Sequence, residues 1–477
     1  MKLLMVGIDG LGAESLKAMG LPRLSALINR GKRGNPHIDN VVSRGWAEIY
    51  SGSTAYETGA FYQIPIKRNG RILPTQKTGA ETVAAHIGKD DLLWSKLAAA
   101  GLKVGLFTLP TVNVPQESCE FTFPASGAGV FGSSLEGMDV FPPELARLAR
   151  YSAQNLGFRI GRGAFLPDSV EGLEAWMRDH IAQYFTTLRQ TVERCPVDSL
   201  IIGTGFLKTY YKFRHILAEL SKDSSNIKLK EMLLEVNKDF DFEITKFVSD
   251  MSPRHLFIVS DHGLGELRYH VNVNELLRKV GAINYPSVVY RAARYSKNKI
   301  LNWMREQRQK VNIYPTFDFA RSSAFSIGYT DVIYINDQRF AGSPMTDEER
   351  FQYSSNLAEK LAKHVKENGY DQFVKFQAIK NCGVTTPKLK SIDPIPLPDI
   401  RCFLQEGCVN LQQTFGEVVA SNNPYGASEM FKNGFYAQHA GCKTNDTIAS
   451  YIGPCSDLVE LDDLTKLYDS IIRVANQ

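Results

Sequence analysis

His255-Leu256-Phe257-Ile258-Val259-Ser260-Asp261-His262-Gly263 is the stretch from which the fold of this chain can be read. Its first five residues make a short apolar run ending in β-branched side chains, the pattern of a buried parallel strand. The strand closes on a carboxylate, an imidazole and a glycine. Open α/β sheets bind ligands outside the carboxyl ends of their strands. An aspartate beside a neutral histidine offers oxygen and nitrogen ligands suited to Zn²⁺ or a similar divalent ion. A polar strand end with a hydrogen-bonded histidine would have the same local sequence.

The amino terminus repeats the arrangement. Leu3 to Ile8 is an apolar strand that ends in Asp9-Gly10, so a second carboxylate is available to a shared site. Gly10 and Gly12 permit a sharp turn and a close approach of backbone to an ion or phosphate. An ordinary Asp-Gly β-turn is the alternative.

Composition sets the outer limits. A length of 477 residues accommodates two to three domains, or one large α/β domain with insertions. With 43% hydrophobic and 22% charged residues, the chain has the make-up of an ordinary globular protein. A net charge of +4 is small for this size; nucleic acid is not indicated, while a local basic cleft for an anionic substrate is compatible. The seven cysteines, at 119, 195, 382, 402, 408, 442 and 455, form no CxxC pair, so neither a zinc ribbon nor a disulfide framework is expected. Met1-Lys2 runs straight into a strand, so no signal peptide is expected. No apolar run approaches the ~20 residues that span a bilayer. The expectation is a cytoplasmic protein with no membrane partner; its oligomeric state is not legible.

Along the chain, helical and strand patterns alternate. Ala13 to Met19 and Leu21 to Asn29 read as helices, as does the segment from Arg44 to Ser51. Asp91 to Ala100, closed by Gly101, leads into the strand Val104 to Phe107, a helix-to-strand step of an α/β fold. Phe141-Pro142-Pro143 predicts a helix start. Val170 to Glu193 is a long helix before the strand Ser199 to Gly203, and Lys228 to Ser249 is the helix before His255. The character changes near residue 290. Arg291 to Arg308 is a basic helical stretch, Val332 to Ile335 a strand, and Thr346 to Glu367 an amphipathic helix with capping residues at its start. Residues 383 to 400 are proline-rich, and 436 to 477 return to strand and helix.

Several of these segments, in order, resemble the type I phosphodiesterase/nucleotide pyrophosphatase branch of the alkaline phosphatase superfamily and its related phosphohydrolases. They are VGIDGLGAESL (6–16) with LPRLSALINRG (21–31), WAEIYSG (46–52), LLWSKLAAAGLKVGLFTLPTVNVP (92–115), VSDHGLGE (259–266) with VNVNELLRKVGAI (271–283), SSAFSIGYTDVIYIN (322–336), LPDI (397–400), and YAQHAG (436–441) with IGP (452–454). The resemblance implies an α/β, alkaline-phosphatase-like core, a mostly parallel sheet with helices on both faces, formed by residues 1–290 and 401–477. A smaller cap or insert subdomain would occupy 291–400.

Enzymes of this kind hold two divalent ions, generally zinc, and pass through a covalent phospho-threonine or phospho-serine. The ion eases ionisation of the attacking hydroxyl and stabilises the leaving oxygen. Carried over by motif, Asp9, Asp261 and His262 match the ligands of the nucleophile-side ion, and His439 matches the late histidine that serves the other.

The chain departs from the family pattern twice. Where the family places its nucleophile, four residues before the tryptophan, counting back from Trp46 gives Val42. Ser43 is the expected nucleophile in its place; capping of the following helix is the other use of that serine, and Arg44 is available to clamp phosphate. The family's Asp-x-x-x-His pair of the second metal site is also missing. By spacing from Asp198, those positions fall on Lys208 and Lys212, with His215 where the family has tryptophan. Ammonium groups cannot ligate a cation. Either the two lysines hold phosphate oxygens in place of an ion, or the chain binds a phosphorylated ligand without turnover, or this segment aligns differently and both lysines face solvent.

The expectation is therefore a metal-dependent phosphohydrolase of phosphodiesterase type acting on a phosphorylated small molecule or nucleotide-like substrate. Ser43, Lys208, Lys212 and His439 are its candidate catalytic residues, and Asp9, Asp261 and His262 its metal ligands. One ion is expected, Zn²⁺ or else Mn²⁺ or Mg²⁺, and two if the lysine segment aligns differently. A degenerate binding or scaffold protein and a phosphoryl-group transferase are the alternatives.

Overall fold

The computed structural model describes residues 1–36, 45–61, 64–68, 71–75, 80–112, 114–124, 140–148, 170–206, 224–284, 318, 321–328, 330–340, 342–380, 395–410, 417–421 and 441–477. Its centre is a seven-stranded sheet. The strands follow the order Lys32–Gly34, Ala449–Ile452, His255–Val259, Leu3–Ile8, Ser199–Thr204, Val104–Phe107 and Phe121–Phe123. Leu3–Ile8 pairs in parallel with Ser199–Thr204 on one side and His255–Val259 on the other. Ala449–Ile452 is antiparallel to both of its neighbours, so it alone in this sheet runs against the common direction.

Strand alternation sorts the core onto two faces. Leu4, Val6, Ile8, Leu200, Ile202, Leu256 and Ile258 pack on one side with the helices Ala13–Met19, Pro22–Ile28, Val170–Arg194 and Ser224–Met251. Leu3, Met5, Ile201, Phe257 and Val259 face the other, against Gly45–Ser51, Leu93–Ala99 and Leu464–Ala475. Leu3–Ile8, Val104–Phe107, Ser199–Thr204 and His255–Val259 are buried on both faces, which is why their sequences read as continuous apolar runs.

A second unit has its own sheet, in the order Ala324–Ser326, Val332–Ile335, Ile400–Leu404, Val374–Ala378. One face packs on the helices Val273–Lys279 and Asp347–Glu367. Phe325, Val332 and Tyr334 face the other way, onto Ala55, Phe61 and Ile64 of the first unit. Thr346 caps the long helix as its sequence predicts: its hydroxyl accepts from Glu349 N–H at 3.2 Å, and the Glu349 carboxylate accepts from Thr346 N–H at 2.7 Å.

Most expected elements are found within one to four residues of their predicted ends. The helix expected after Phe141 is instead a short 3₁₀ turn, Pro143–Arg147. Its bonds span three residues, Leu145 N–H to the Pro142 carbonyl at 3.0 Å and Leu148 N–H to the Leu145 carbonyl at 2.9 Å. The basic stretch 291–308 lies outside the described residues. Among the described residues no helix is long and apolar enough to cross a membrane.

Candidate metal centre

The sheet brings the two acidic strand ends together because their strands are neighbours in register. Gly7 pairs with Val259, and past the ladder Gly10 forms a parallel bridge with Gly263. Asp9 N–H donates to the Thr204 carbonyl at 2.9 Å, which fixes the strand end on its other side. Asp9, Asp261 and His262 are 1%, 5% and 1% exposed, and one ligand atom from each lies within 4.8 Å of the others.

The donor set fits a divalent cation. His262 Nδ1 is 2.7 Å from the Gly263 carbonyl oxygen. A carbonyl only accepts, so Nδ1 carries a proton and Nε2 is the ring nitrogen directed at the carboxylates, a ligand atom whenever the ring is neutral. Nε2 lies 3.4 Å from Asp9 Oδ1 and 3.3 Å from Asp261 Oδ2. A tetrahedral ion with bonds of about 2.0–2.1 Å separates its ligands by about 3.3 Å. Two carboxylates buried this close repel one another, and a shared cation is the usual means of holding such a pair ionised.

Close backbone approach frames the group. A Cβ added to Gly263 would stand 2.1 Å from the Asp446 carbonyl oxygen, and one added to Gly45 would stand 2.4 Å from the Asp261 carbonyl oxygen. The helix Gly45–Ser51 therefore starts in direct contact with Asp261. Asp446 in turn accepts from Ala13 and Glu14 N–H at 3.1 and 2.9 Å, capping the helix that follows Asp9. Ser260, fully buried, accepts from Leu11 N–H at 2.8 Å and donates to the His262 carbonyl at 2.6 Å. Sequence reasoning assigned no role to Ser260 or Asp446: the Leu11 partner of Ser260 is 249 residues away, and the Ala13 and Glu14 partners of Asp446 are 433 and 432 residues away.

Of the predicted site residues, the structure thus gathers Asp9, Asp261 and His262. Ser43, Lys208, Lys212 and His439 lie outside the described residues, as do Arg44 and His215.

The whole chain is similar to solved structures of mouse ectonucleotide pyrophosphatase/phosphodiesterase 5, at 14% identity over 95% of that chain with a TM-score of 0.44. The human form gives 12% identity over 95% of its chain and a TM-score of 0.47, again with all of this chain covered. Phosphonoacetate hydrolase from Sinorhizobium meliloti 1021 gives 11%, 96% and 0.42, with the same full coverage. No curated protein sequence matches the chain at a significant level. The family model for type I phosphodiesterase / nucleotide pyrophosphatase matches residues 3–377. This chain belongs to that family.

Proposed function

We propose that this protein is a metal-dependent phosphohydrolase of phosphodiesterase type, working through a phospho-serine on Ser43. The observation that carries the reading is the buried Asp9–Asp261–His262 group at the ends of two adjacent parallel strands. Family membership favours a phosphodiester or nucleotide-like substrate. Asp9, Asp261 and His262 would hold one divalent ion, zinc being the natural match to this donor set. Such an ion, when bound, lowers the pKa of a nearby hydroxyl and offsets phosphate charge.

The chain's own residues then divide the work. The Ser43 oxygen bonds to phosphorus as the bond to the leaving oxygen breaks, and water later cleaves the serine ester and restores the hydroxyl. Lys208 and Lys212 hold phosphate oxygens as point charges. His439 orients the substrate or moves the proton between the leaving oxygen and the attacking water.

Chain distances support these assignments. Ser43 is two residues before Gly45, which contacts Asp261, within about 7 Å of extended chain. Lys208 follows four residues after Thr204, whose carbonyl bonds to Asp9. His439 precedes Gly441, which pairs with Glu266 just beyond the ligand pair. The 291–400 region is proposed as the substrate-selecting cap.

The test is metal analysis of purified protein together with turnover of a chromogenic phosphodiester, with and without Zn²⁺ or Mn²⁺. Wild type should hold metal and turn over; Asp261→Ala should lose metal and at least about a hundredfold in rate, as loss of an electrostatic group costs in other active sites. Absence of turnover with every ion, with Asp261→Ala indistinguishable from wild type, would leave the binding-protein reading in place. For the lysines, Lys208→Ala should weaken inorganic phosphate binding and leave metal content unchanged.

A further inference from the structure

We propose that Ser260 is a positioning residue for the Asp9–Asp261–His262 group, setting the spacing of ligands that come from two different strands. The proposal rests on the metal-centre reading above. Cross-strand pairing between Leu3–Ile8 and His255–Val259 stops at Gly7 opposite Val259 and returns only at the Gly10–Gly263 bridge. The three ligand residues fall in that gap, where no backbone ladder fixes their separation. The Ser260 hydroxyl fills it. It accepts from Leu11 N–H at 2.8 Å, a donor that also lies 3.2 Å from the Ile8 carbonyl, and donates to the His262 carbonyl at 2.6 Å. One oxygen thereby ties the chain just after Asp9 to the backbone of His262.

Ser260 itself has little freedom. Its side chain is fully buried, and its N–H donates to the Ile448 carbonyl at 3.0 Å. Both ends of the tie are backbone groups, so removal of the hydroxyl frees the stretch between the Gly7–Val259 pair and the Gly10–Gly263 bridge to adjust. A change of a few tenths of an ångström between Asp9 and His262 alters ligation more than it alters folding. That separates a positioning role from simple closure of a turn.

The experiment titrates the full-length protein with Co²⁺, whose visible absorption reports coordination geometry, and with Zn²⁺ against a chromophoric chelator. Wild type, Ser260→Ala, Ser260→Thr, Ser260→Val and Asp261→Ala are compared, with circular dichroism confirming the fold. Ser260→Ala should bind about 10–100-fold more weakly, the usual effect of losing a residue that orients metal ligands, with an altered Co²⁺ spectrum. Ser260→Thr should restore both. Should Ser260→Ala fail to fold, Ser260→Thr and Ser260→Val share a shape and differ by the hydroxyl, and only the valine variant should bind weakly. Wild-type affinity and spectrum in Ser260→Ala or Ser260→Val, with binding lost in Asp261→Ala, would overturn this proposal and leave the metal centre standing. Binding absent from wild type, or unchanged in Asp261→Ala, would overturn the metal-centre reading and this proposal with it.

Discussion

Gly263 shows how tightly single residues frame the site. A methyl group there would meet the Asp446 carbonyl oxygen at 2.1 Å and the Thr444 hydroxyl at 2.4 Å, and a backbone carbonyl cannot swing aside as a side chain can. Gly101 is a useful contrast: its φ of +82° is costly for any other residue, yet nothing stands within 4 Å. Gly101→Ala should cost about 1–2 kcal/mol from backbone strain alone. Gly263→Ala should cost about 1–3 kcal/mol or more from overpacking and also weaken metal binding, which Gly101→Ala should not. Urea unfolding and Zn²⁺ titration of both variants check this. The candidate ligands Asp9, Asp261 and His262 were legible because they follow directly on apolar strand runs. The Ser260 tie was not, since its Leu11 partner is 249 residues away.

Among the elements, the antiparallel strand Ala449–Ile452 is the least expected in the sheet. It is held partly by a side-chain pair: His255 Nδ1 lies 2.8 Å from the Tyr451 hydroxyl, with both rings buried and stacked. Burial pushes the His255 imidazole below the usual histidine range, and the Arg254 and Lys2 cations add to the shift. The unfolded chain therefore takes up a proton near pH 6.5 that the folded chain takes up only at lower pH. Stability is fully present above that value and is lost as pH falls from it toward the lowered pKa. His180, also pushed down by burial, acts in the same direction. The Tm of wild type should fall between pH 7.5 and pH 5.5, and His255→Gln should show a shallower fall; equal slopes would assign the effect elsewhere. On the face of the sheet that carries Phe257, Val259 and Tyr451, the carboxy-terminal helix braces the one that begins at Gly45. Leu464 and Tyr468 stand where Cβ atoms on Gly45 and Gly52 would be, at 3.0 and 2.7 Å.

Among the described residues the two largest sheets, of seven and four strands, pack against separate sets of helices, and the four-stranded one is fastened by charge as well as by apolar contact. Arg339 reaches Asp337 at 2.8 Å and Asp399 at 2.7 Å, and Arg350 reaches Asp399 at 3.0 Å and, more loosely, Asp337 at 3.9 Å. The four side chains are almost wholly buried, and join the turn after Val332–Ile335, the long helix and the strand that starts at Ile400. Burial raises the Asp399 carboxyl, opposed chiefly by the Arg339 guanidinium beside it. Asp399→Ala leaves Arg339 and Arg350 buried with Asp337 between them and the exposed Asp347 as a second partner of Arg350, and should cost about 3–5 kcal/mol in urea unfolding. A loss under about 1 kcal/mol, the range of exposed pairs, would show that water reaches the ring in solution. The Leu397-Pro398-Asp399-Ile400 segment was visible in the sequence as a family motif, without a stated use; the ion ring supplies one. What the sequence by itself determined was the order of strands and helices, the family, and the three residues Asp9, Asp261 and His262 that gather at the strand ends, because apolar periodicity and strand-end chemistry are local properties. Which strands lie side by side, the tie made by Ser260 and the charge ring around Asp399 were decided only by tertiary structure, since each depends on groups that are distant in the chain and meet only when the sheets assemble.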